Sequence, residues 1–318
     1  MEQDAALIVA GPTASGKSAL ALVLAERLGG TVINADSMQV YRELRILTAR
    51  PSPEDEARVP HALYGVRLAA EPGSAAWWRE AALAEMERAR RAGRVPILCG
   101  GTGLYLQALA GGLAAIPDPG PDARAEARAL LAEEGPAALH ARLAAADPAT
   151  AARIRPSDSQ RLARAWEVWR GTGRGLAAWH AAPALAPSHP FRMLRLDPPR
   201  PALRAAIAER FDAMLAAGAL DEVRALLALG LDPSLPIMRA QGVPELAAYL
   251  RGERTLQDAR GRAVLATGQY TKRQATWFRN RSIAAPSLTH TINARFTDKT
   301  QFSERERQEI FAFVSRRG

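Results

Sequence analysis

Gly11-Pro12-Thr13-Ala14-Ser15-Gly16-Lys17-Ser18 fits the pattern G-x-x-x-x-G-K-[ST] of a phosphate-binding loop. Its flanks have the character that such a loop needs. Leu7-Ile8-Val9-Ala10 is a short apolar run that reads as a buried strand, and Ala19 to Leu28 is an uninterrupted helix-forming run. Strand, glycine turn and helix N-terminus together make a nest of backbone N–H groups facing an anion. The glycines let the backbone approach phosphates closely, Lys17 adds a point charge, and the Ser18 hydroxyl is placed to ligate Mg²⁺. The chain has only three lysines, Lys17, Lys272 and Lys299, so a lysine at the one position that demands it is more telling than in a lysine-rich protein. The stretch from Gly11 to Ser18 is expected to hold a di- or triphosphate.

Working outward, strand and helix signals alternate. Thr31-Val32-Ile33-Asn34-Ala35 is a second strand, ended by Asp36; Trp77 to Arg91 is helical; Val95-Pro96-Ile97-Leu98-Cys99 is a strand stopped by Gly100-Gly101; Leu104 to Leu109 starts a helix. Strands separated by helices predict a parallel sheet with right-handed crossovers. Ligands in such sheets lie beyond the carboxyl ends of the strands. Lys17, Asp36 and Thr102 all follow strand ends, so one crevice should hold them.

Proline and glycine cluster at Ile116-Pro117-Asp118-Pro119-Gly120-Pro121, which marks a boundary. From Asp122 to about Gly173 the pattern is helical throughout. A looser Pro/Ala/His stretch runs to Pro190, and Phe191 to Asp197 reads as a strand again. Further helices are expected from Pro201 to about Gly218, to Leu229, over Gly242 to Arg251, and over Thr255 to Arg281. The segment from Ser282 is polar and mixed, without a motif. The expected class is α/β: a P-loop NTPase-like core, its parallel sheet flanked by helices, plus an inserted all-helical domain. Residues 1–116 form the first part of that core, 117–190 the insertion, 191–281 the second part with C-terminal helices, and 282–318 a tail of unknown role.

The 318 residues carry 42 Lys and Arg against 33 Asp and Glu, a formal charge of +9. An enzyme of small metabolites has no obvious use for that excess; it fits a polyanionic partner, most simply nucleic acid, although an arginine-biased composition alone could also produce it. The single cysteine, Cys99, excludes an intramolecular disulfide and reads as a small buried strand residue. No run of 18 apolar residues occurs, so no membrane span is expected. The first strand begins too early to leave room for a signal peptide. These features point to the cytoplasm, and nothing demands more than a monomer.

Individual residues carry the chemistry. Asp36 at its strand end faces the phosphate site, where it could hold Mg²⁺ through water, accept a proton from a nucleophile, or simply cap a turn. Gln39 has donor and acceptor groups suited to a base edge. Gly100-Gly101-Thr102-Gly103 is a second glycine turn, beside which Thr102 could aim a hydroxyl at the reacting centre. Its strand does not end in Asp or Glu, so the second metal carboxylate of an ATP hydrolase is missing from its usual place. Arg210 adjoins the apolar face of Phe211, Met214 and Leu215 and could clamp a pyrophosphate. Gln160-Arg161-Leu162-Ala163-Arg164 opens a helix in which Trp166 and Trp169 fall on the core spacing, with Arg161 and Arg164 on an exposed face. Lys272, Thr276 and Arg279 share one face of a helix that also contains Tyr270, Arg273, Gln274, Trp277 and Phe278, a face suited to RNA backbone contacts. A small-molecule P-loop kinase and an ATP-binding RNA chaperone compete with an RNA-modifying enzyme on these features alone.

Several motifs together resemble the tRNA dimethylallyltransferases of bacterial type: Gly11 to Ser18, Asn34-Ala35-Asp36-Ser37-Met38-Gln39-Val40-Tyr41, Gly100-Gly101-Thr102-Gly103-Leu104-Tyr105, Gln160 to Ala165, and Lys272-Arg273-Gln274-Ala275-Thr276-Trp277. The resemblance runs in order over about residues 5 to 281. It implies transfer of a dimethylallyl group from dimethylallyl diphosphate to N6 of the adenosine 3′ to a tRNA anticodon, with Mg²⁺. It implies Asp36 as base, Thr102 near the bridging oxygen and Arg210 on the pyrophosphate. Contact with the anticodon stem-loop is expected from Asp36, Ser37, Met38, Gln39, Thr102, Arg124, Gln160, Arg161, Leu162, Ala163, Arg164, Arg239, Lys272, Arg273, Gln274, Thr276, Trp277 and Arg279. The chain departs from the family at Gly242-Val243-Pro244, where a Gly-Tyr pair is usual, at Ala206, where a basic residue is common, and at Leu47, a frequent glycine. It lacks the cysteine/histidine zinc module of eukaryotic members.

Overall fold

The apolar run before the phosphate loop becomes strand β1 (Ala6–Ala10), buried at every residue. Around it the computed structural model, which describes residues 6–181, 191–297 and 304–315, builds one sheet. The other strands are β2 (Gly30–Asn34), β3 (His61–Ala62), β4 (Val95–Gly100), β5 (Phe191–Leu196) and β6 (Thr289–Ile292), in the order β3-β2-β4-β1-β5-β6. Every pairing is parallel. Sheets of this kind are covered on both faces, which explains why the central strands are continuously apolar instead of alternating. Ile8, Ala10, Leu98 and Met193 enter one core with Trp78, Leu106 and Phe211. Leu7, Val9, Ile97 and Leu194 enter the other with Leu20 and Leu24. Each fully buried aliphatic side chain is worth roughly 1.5–3 kcal/mol over an exposed one.

The expected strands before the insertion and after it are all present. Two strands escape the pattern. β3 has only two residues, and β6 (Thr-His-Thr-Ile) is polar because an edge strand needs one covered face only. The polar C-terminal segment therefore belongs to the sheet, and the helix Glu304–Ser315 covers one face with Ile310, Phe313 and Val314.

Two compact units divide the chain: Met1–Ala110 with Pro187–Gly318, and Gly111–Ala186. The second is helical over Gly120–Glu133, Gly135–Ala146, Pro148–Ala151, Ser159–Thr172 and Leu176–His180. Its own core gathers Ala127, Leu139, Leu143, Leu162, Ala165 and Trp166. Residues 182–190 of the loose stretch lie outside the described residues, as does Lys299.

In the first unit the helices Arg200–Ala216, Ala219–Ala228, Val243–Leu250 and Leu256–Asn280 follow β5. The last is capped by Thr255, whose side chain accepts the Asp258 N–H. Gly242, at φ 95°, lies against the side chain of Leu47, one of the departures from the family pattern, and a Cβ there would meet Leu47 at 3.0 Å.

Candidate active site

The helix Lys17–Leu28 starts directly from the phosphate loop, with Gly16 as its N-cap in the left-handed region at φ 87°. Ser15 donates its N–H to Pro12 O at 3.3 Å, closing the turn. The Ser15 hydroxyl is buried and, among the described residues, has no hydrogen-bond partner. Lys17 folds back over the loop, its Nζ 3.4 Å from Pro12 O. Burial lowers the pKa of that ammonium, and the charge of Asp36 opposes the shift. The desolvated cation thus feels the charge of one nearby carboxylate, Asp36.

Asp36 owes its place to the strand end before it. The Asn34 side chain, fully buried, accepts Asp36 N–H at 2.8 Å and donates to Asp36 O and Leu63 O, each at 3.0 Å. One Asp36 carboxylate oxygen, Oδ1, accepts Met38 N–H at 2.9 Å, an Asx turn that aims the side chain. Next to it Thr102 Oγ1 accepts Ser37 N–H at 2.9 Å and donates to Ser37 Oγ at 3.2 Å. The turn that carries Thr102 comes close to neighbouring chain. A Cβ on Gly100 would collide with the Ala35 backbone, and one on Gly103 would collide with the Trp277 ring.

Arg210 comes from the helix Arg200–Ala216. Burial lowers its pKa and Asp36 raises it, while its positive charge is felt in turn by Lys17. Among the described residues its guanidinium makes no hydrogen bond and no ion pair. Asp36, Lys17 and Arg210 therefore share one electrostatic space: two desolvated cations and one carboxylate. Cys99, buried in β4, lies beside Lys17 and the Ser18 hydroxyl; burial pushes its thiol up to about 11, so it is neutral and unreactive near pH 7.

Sequence reasoning missed how the long helix Leu256–Asn280 supports the site. Gln274, expected at RNA, is buried. Its Oε1 accepts Thr13 N–H at 2.8 Å and its Nε2 donates to Gly101 O at 2.9 Å, which ties the phosphate loop to the Thr102 turn. One turn earlier, the Tyr270 hydroxyl lies beside Thr102 and Gln274, and burial raises its pKa. The spacing of Tyr270 and Gln274, four residues apart on one helix face, was the available signal.

The remaining expected contacts fall into groups. Lys272, Arg273, Thr276 and Arg279 are exposed on the same helix, and Arg279 forms a two-pronged pair with Asp197, both contacts at 2.8 Å. Trp277 is half-buried and Phe278 buried. Met38 packs on the core, Gln39 spends its amide N–H groups on Thr48 O and Ala49 O at 2.9 Å each, and Arg239 is exposed in a short 3₁₀ turn. In the helical unit, Gln160, Arg161 and Ala163 reach the surface, as does Arg164. Arg124 pairs with Asp118 at 2.6 Å, and the Asp118 carboxyl is held below its usual range by the Gly120 N–H, by Arg124 and by the charge of Arg164. Trp166 is core, its Nε1 donating to Glu126 Oε1 at 3.2 Å. Leu162 is fully buried beside it. Leu162 and Gln274, both expected at RNA, are thus buried and pack under exposed residues of their helices instead.

Comparison with known proteins follows this geometry. A family described as "IPP transferase" matches residues 39–281, and one described as "Isopentenyl transferase" matches residues 4–61. The chain is 62% identical over 315 residues to a tRNA dimethylallyltransferase of Granulibacter bethesdensis, covering 99% of each chain. It is 63% identical over 310 residues to one of Acidiphilium cryptum, covering 97% of this chain and 94% of the relative. Among solved structures, the full-length tRNA isopentenylpyrophosphate transferase of Bacillus halodurans is 32% identical with a TM-score of 0.69, covering 99% of this chain and 96% of that one. A eukaryotic dimethylallyltransferase acting on tRNA is 26% identical with a TM-score of 0.83, covering 99% and 80%.

Proposed function

We propose a reaction for this chain from its family: it belongs to the IPP transferases, and it transfers a dimethylallyl group from dimethylallyl diphosphate to N6 of the adenosine 3′-adjacent to the anticodon in tRNA, releasing diphosphate. The observation that carries the reading is the pair of desolvated cations, Lys17 and Arg210, set against the single carboxylate of Asp36. A site for phosphoryl transfer needs its charge around the γ-phosphate. Here a diphosphate is the leaving group, and the reacting carbon lies beyond it.

In the reaction the C–O bond to the diphosphate breaks and an N6–C bond forms. Negative charge grows on the departing diphosphate. The loop N–H groups, the buried Ser15 hydroxyl, Lys17 and Arg210 receive it; losing one such fixed donor typically costs about 2.7–4 kcal/mol in the barrier. Thr102 sits at the junction, its hydroxyl held by Ser37 and lying beside Tyr270. N6 of adenine is a poor nucleophile, and Asp36 accepts its proton, an assistance worth roughly 10²–10⁴-fold. The target base leaves its stack to reach the site. Among the described residues no group of three or more His, Cys, Asp or Glu could hold a metal unaided. The Ser18 hydroxyl with substrate oxygens and water is the sparse set that Mg²⁺ accepts, and a bound Mg²⁺ would add charge neutralisation on the diphosphate.

The exposed cations of the long helix (Lys272, Arg273 and Arg279) and of the helical unit (Arg124, Arg161 and Arg164) contact the tRNA backbone. Among the described residues no helix is long and apolar enough to cross a membrane; the substrate sets the enzyme's place, the cytoplasm. The test mixes purified protein, Mg²⁺, labelled dimethylallyl diphosphate and unmodified tRNA. Label is expected in RNA only where adenosine follows the anticodon. No incorporation together with brisk ATP hydrolysis would replace this reading with that of an ATP-driven RNA-binding factor.

A further inference from the structure

The chain that follows β6 returns to the phosphate loop. β6 pairs in parallel with β5, from Met193 with Thr289 to Leu196 with Ile292. It therefore delivers the next residues to the same end of the sheet as Gly11. There Phe296 donates its backbone N–H to Ser15 O at 2.9 Å, and Arg295 donates from Nε to Ala14 O at 2.9 Å. Phe296 cannot drift, because its ring is buried with Leu196 and Ile292 in the core under the helix Lys17–Leu28. Gly16 completes the contact: a Cβ there would collide with the Phe296 carbonyl.

A trans peptide points its C=O and its N–H in opposite directions. Drawing Ser15 O toward Phe296 therefore sends the Gly16 N–H the other way. Drawing Ala14 O toward Arg295 sends the Ser15 N–H to Pro12 O, the bond that closes the turn. Two loop residues, Ala14 at φ 64° and Gly16 at φ 87°, hold left-handed conformations that an untethered loop would tend to leave. We propose that Arg295 and Phe296 are positioning residues for the donor diphosphate: they hold the Ala14 and Ser15 carbonyls outward so that the loop N–H groups stay aimed at the anion.

The inference rests on the diphosphate reading of the loop, and the experiment separates the two. Full-length wild type and Arg295→Ala are titrated with inorganic pyrophosphate and Mg²⁺, and assayed for transfer. Arg295→Ala is expected to weaken pyrophosphate binding and raise KM for dimethylallyl diphosphate by about tenfold, the scale of one charge-assisted hydrogen bond. KM for tRNA and Tm stay at the wild-type values, and Arg295→Lys, which keeps a donor, recovers most of the loss. If wild type neither binds pyrophosphate nor transfers label, the diphosphate reading falls and takes this inference with it. If wild type does both and Arg295→Ala equals it, the inference alone falls. Should Arg295→Ala fail to fold, amide exchange in wild type decides: pyrophosphate must slow exchange at the Phe296 N–H, and an unchanged rate overturns the proposal.

Discussion

Thr13 gives its backbone N–H to the Gln274 amide oxygen at 2.8 Å, a bond between residues 261 apart in sequence. The same amide donates to Gly101 O. One buried side chain, using both halves of its polar group, thereby sets the distance between the anion loop and the turn that carries Thr102. A site that must receive charge as it develops depends on such spacing, because misplacement by a single ångström can cost a hundredfold in rate.

Gln274→Ala leaves the Thr13 N–H and the Gly101 carbonyl without that partner. Urea unfolding should show a loss of about 1–3 kcal/mol, and kcat should fall as well. Gln274→Glu keeps an acceptor for Thr13 but sets an oxygen against Gly101 O, so it should not rescue. Wild-type kcat in Gln274→Ala would show that the two loops hold their spacing unaided.

Asp36→Asn keeps the shape and the Asx turn but removes the base. Turnover should drop by at least about a hundredfold with tRNA affinity little changed. Loss of tRNA binding with turnover intact, read by filter binding and single-turnover kinetics, would reassign Asp36 to positioning.

Lys17 makes the loop pay for its function in stability. Its folded-state pKa lies below the unfolded value of 10.5 because burial disfavours the charge. The unfolded chain then binds the proton more tightly, so the destabilisation is complete below the folded pKa and fades as pH rises toward 10.5. Lys17→Met should accordingly be more stable than wild type at pH 7 and inactive, with its advantage shrinking in alkaline solution. Pyrophosphate should raise the Tm of wild type and leave that of the variant unchanged. A variant less stable than wild type at pH 7 would refute the desolvation account.

Binding of tRNA should weaken steeply with salt, the slope reporting the phosphates neutralised. Arg161→Ala and Arg164→Ala should each lower that slope by about 1. Among the described residues both side chains form ion pairs only with near neighbours in sequence, Asp158 and Glu167, so their removal should leave Tm near the wild-type value. A slope unchanged in both variants would remove this face from the RNA contact.

Motif spacing and local pattern were enough for the parallel core, the helical insertion, and the placement of Lys17, Asp36 and Thr102 at strand ends. These features are encoded within a few residues: a glycine turn between an apolar run and a helix has few ways to fold. Short-range pattern carries no information about polar edge strands such as β6, or about a two-residue strand such as β3. It also could not separate Gln274, which is interior, from Lys272 and Thr276 on the same helix, since all are polar.

What local chemistry pointed to, then, is a kind of ligand: an anion nest with a lysine at its mouth is suited to a di- or triphosphate. The fold alone brought Arg210 and Asp36 into one desolvated space, ran Gln274 between two loops, and returned Arg295 and Phe296 to the nest. Those pairings join residues tens to hundreds of positions apart. Sheet order and helix packing create them, because burial of apolar faces chooses which distant segments meet and the polar groups carried along must then satisfy one another.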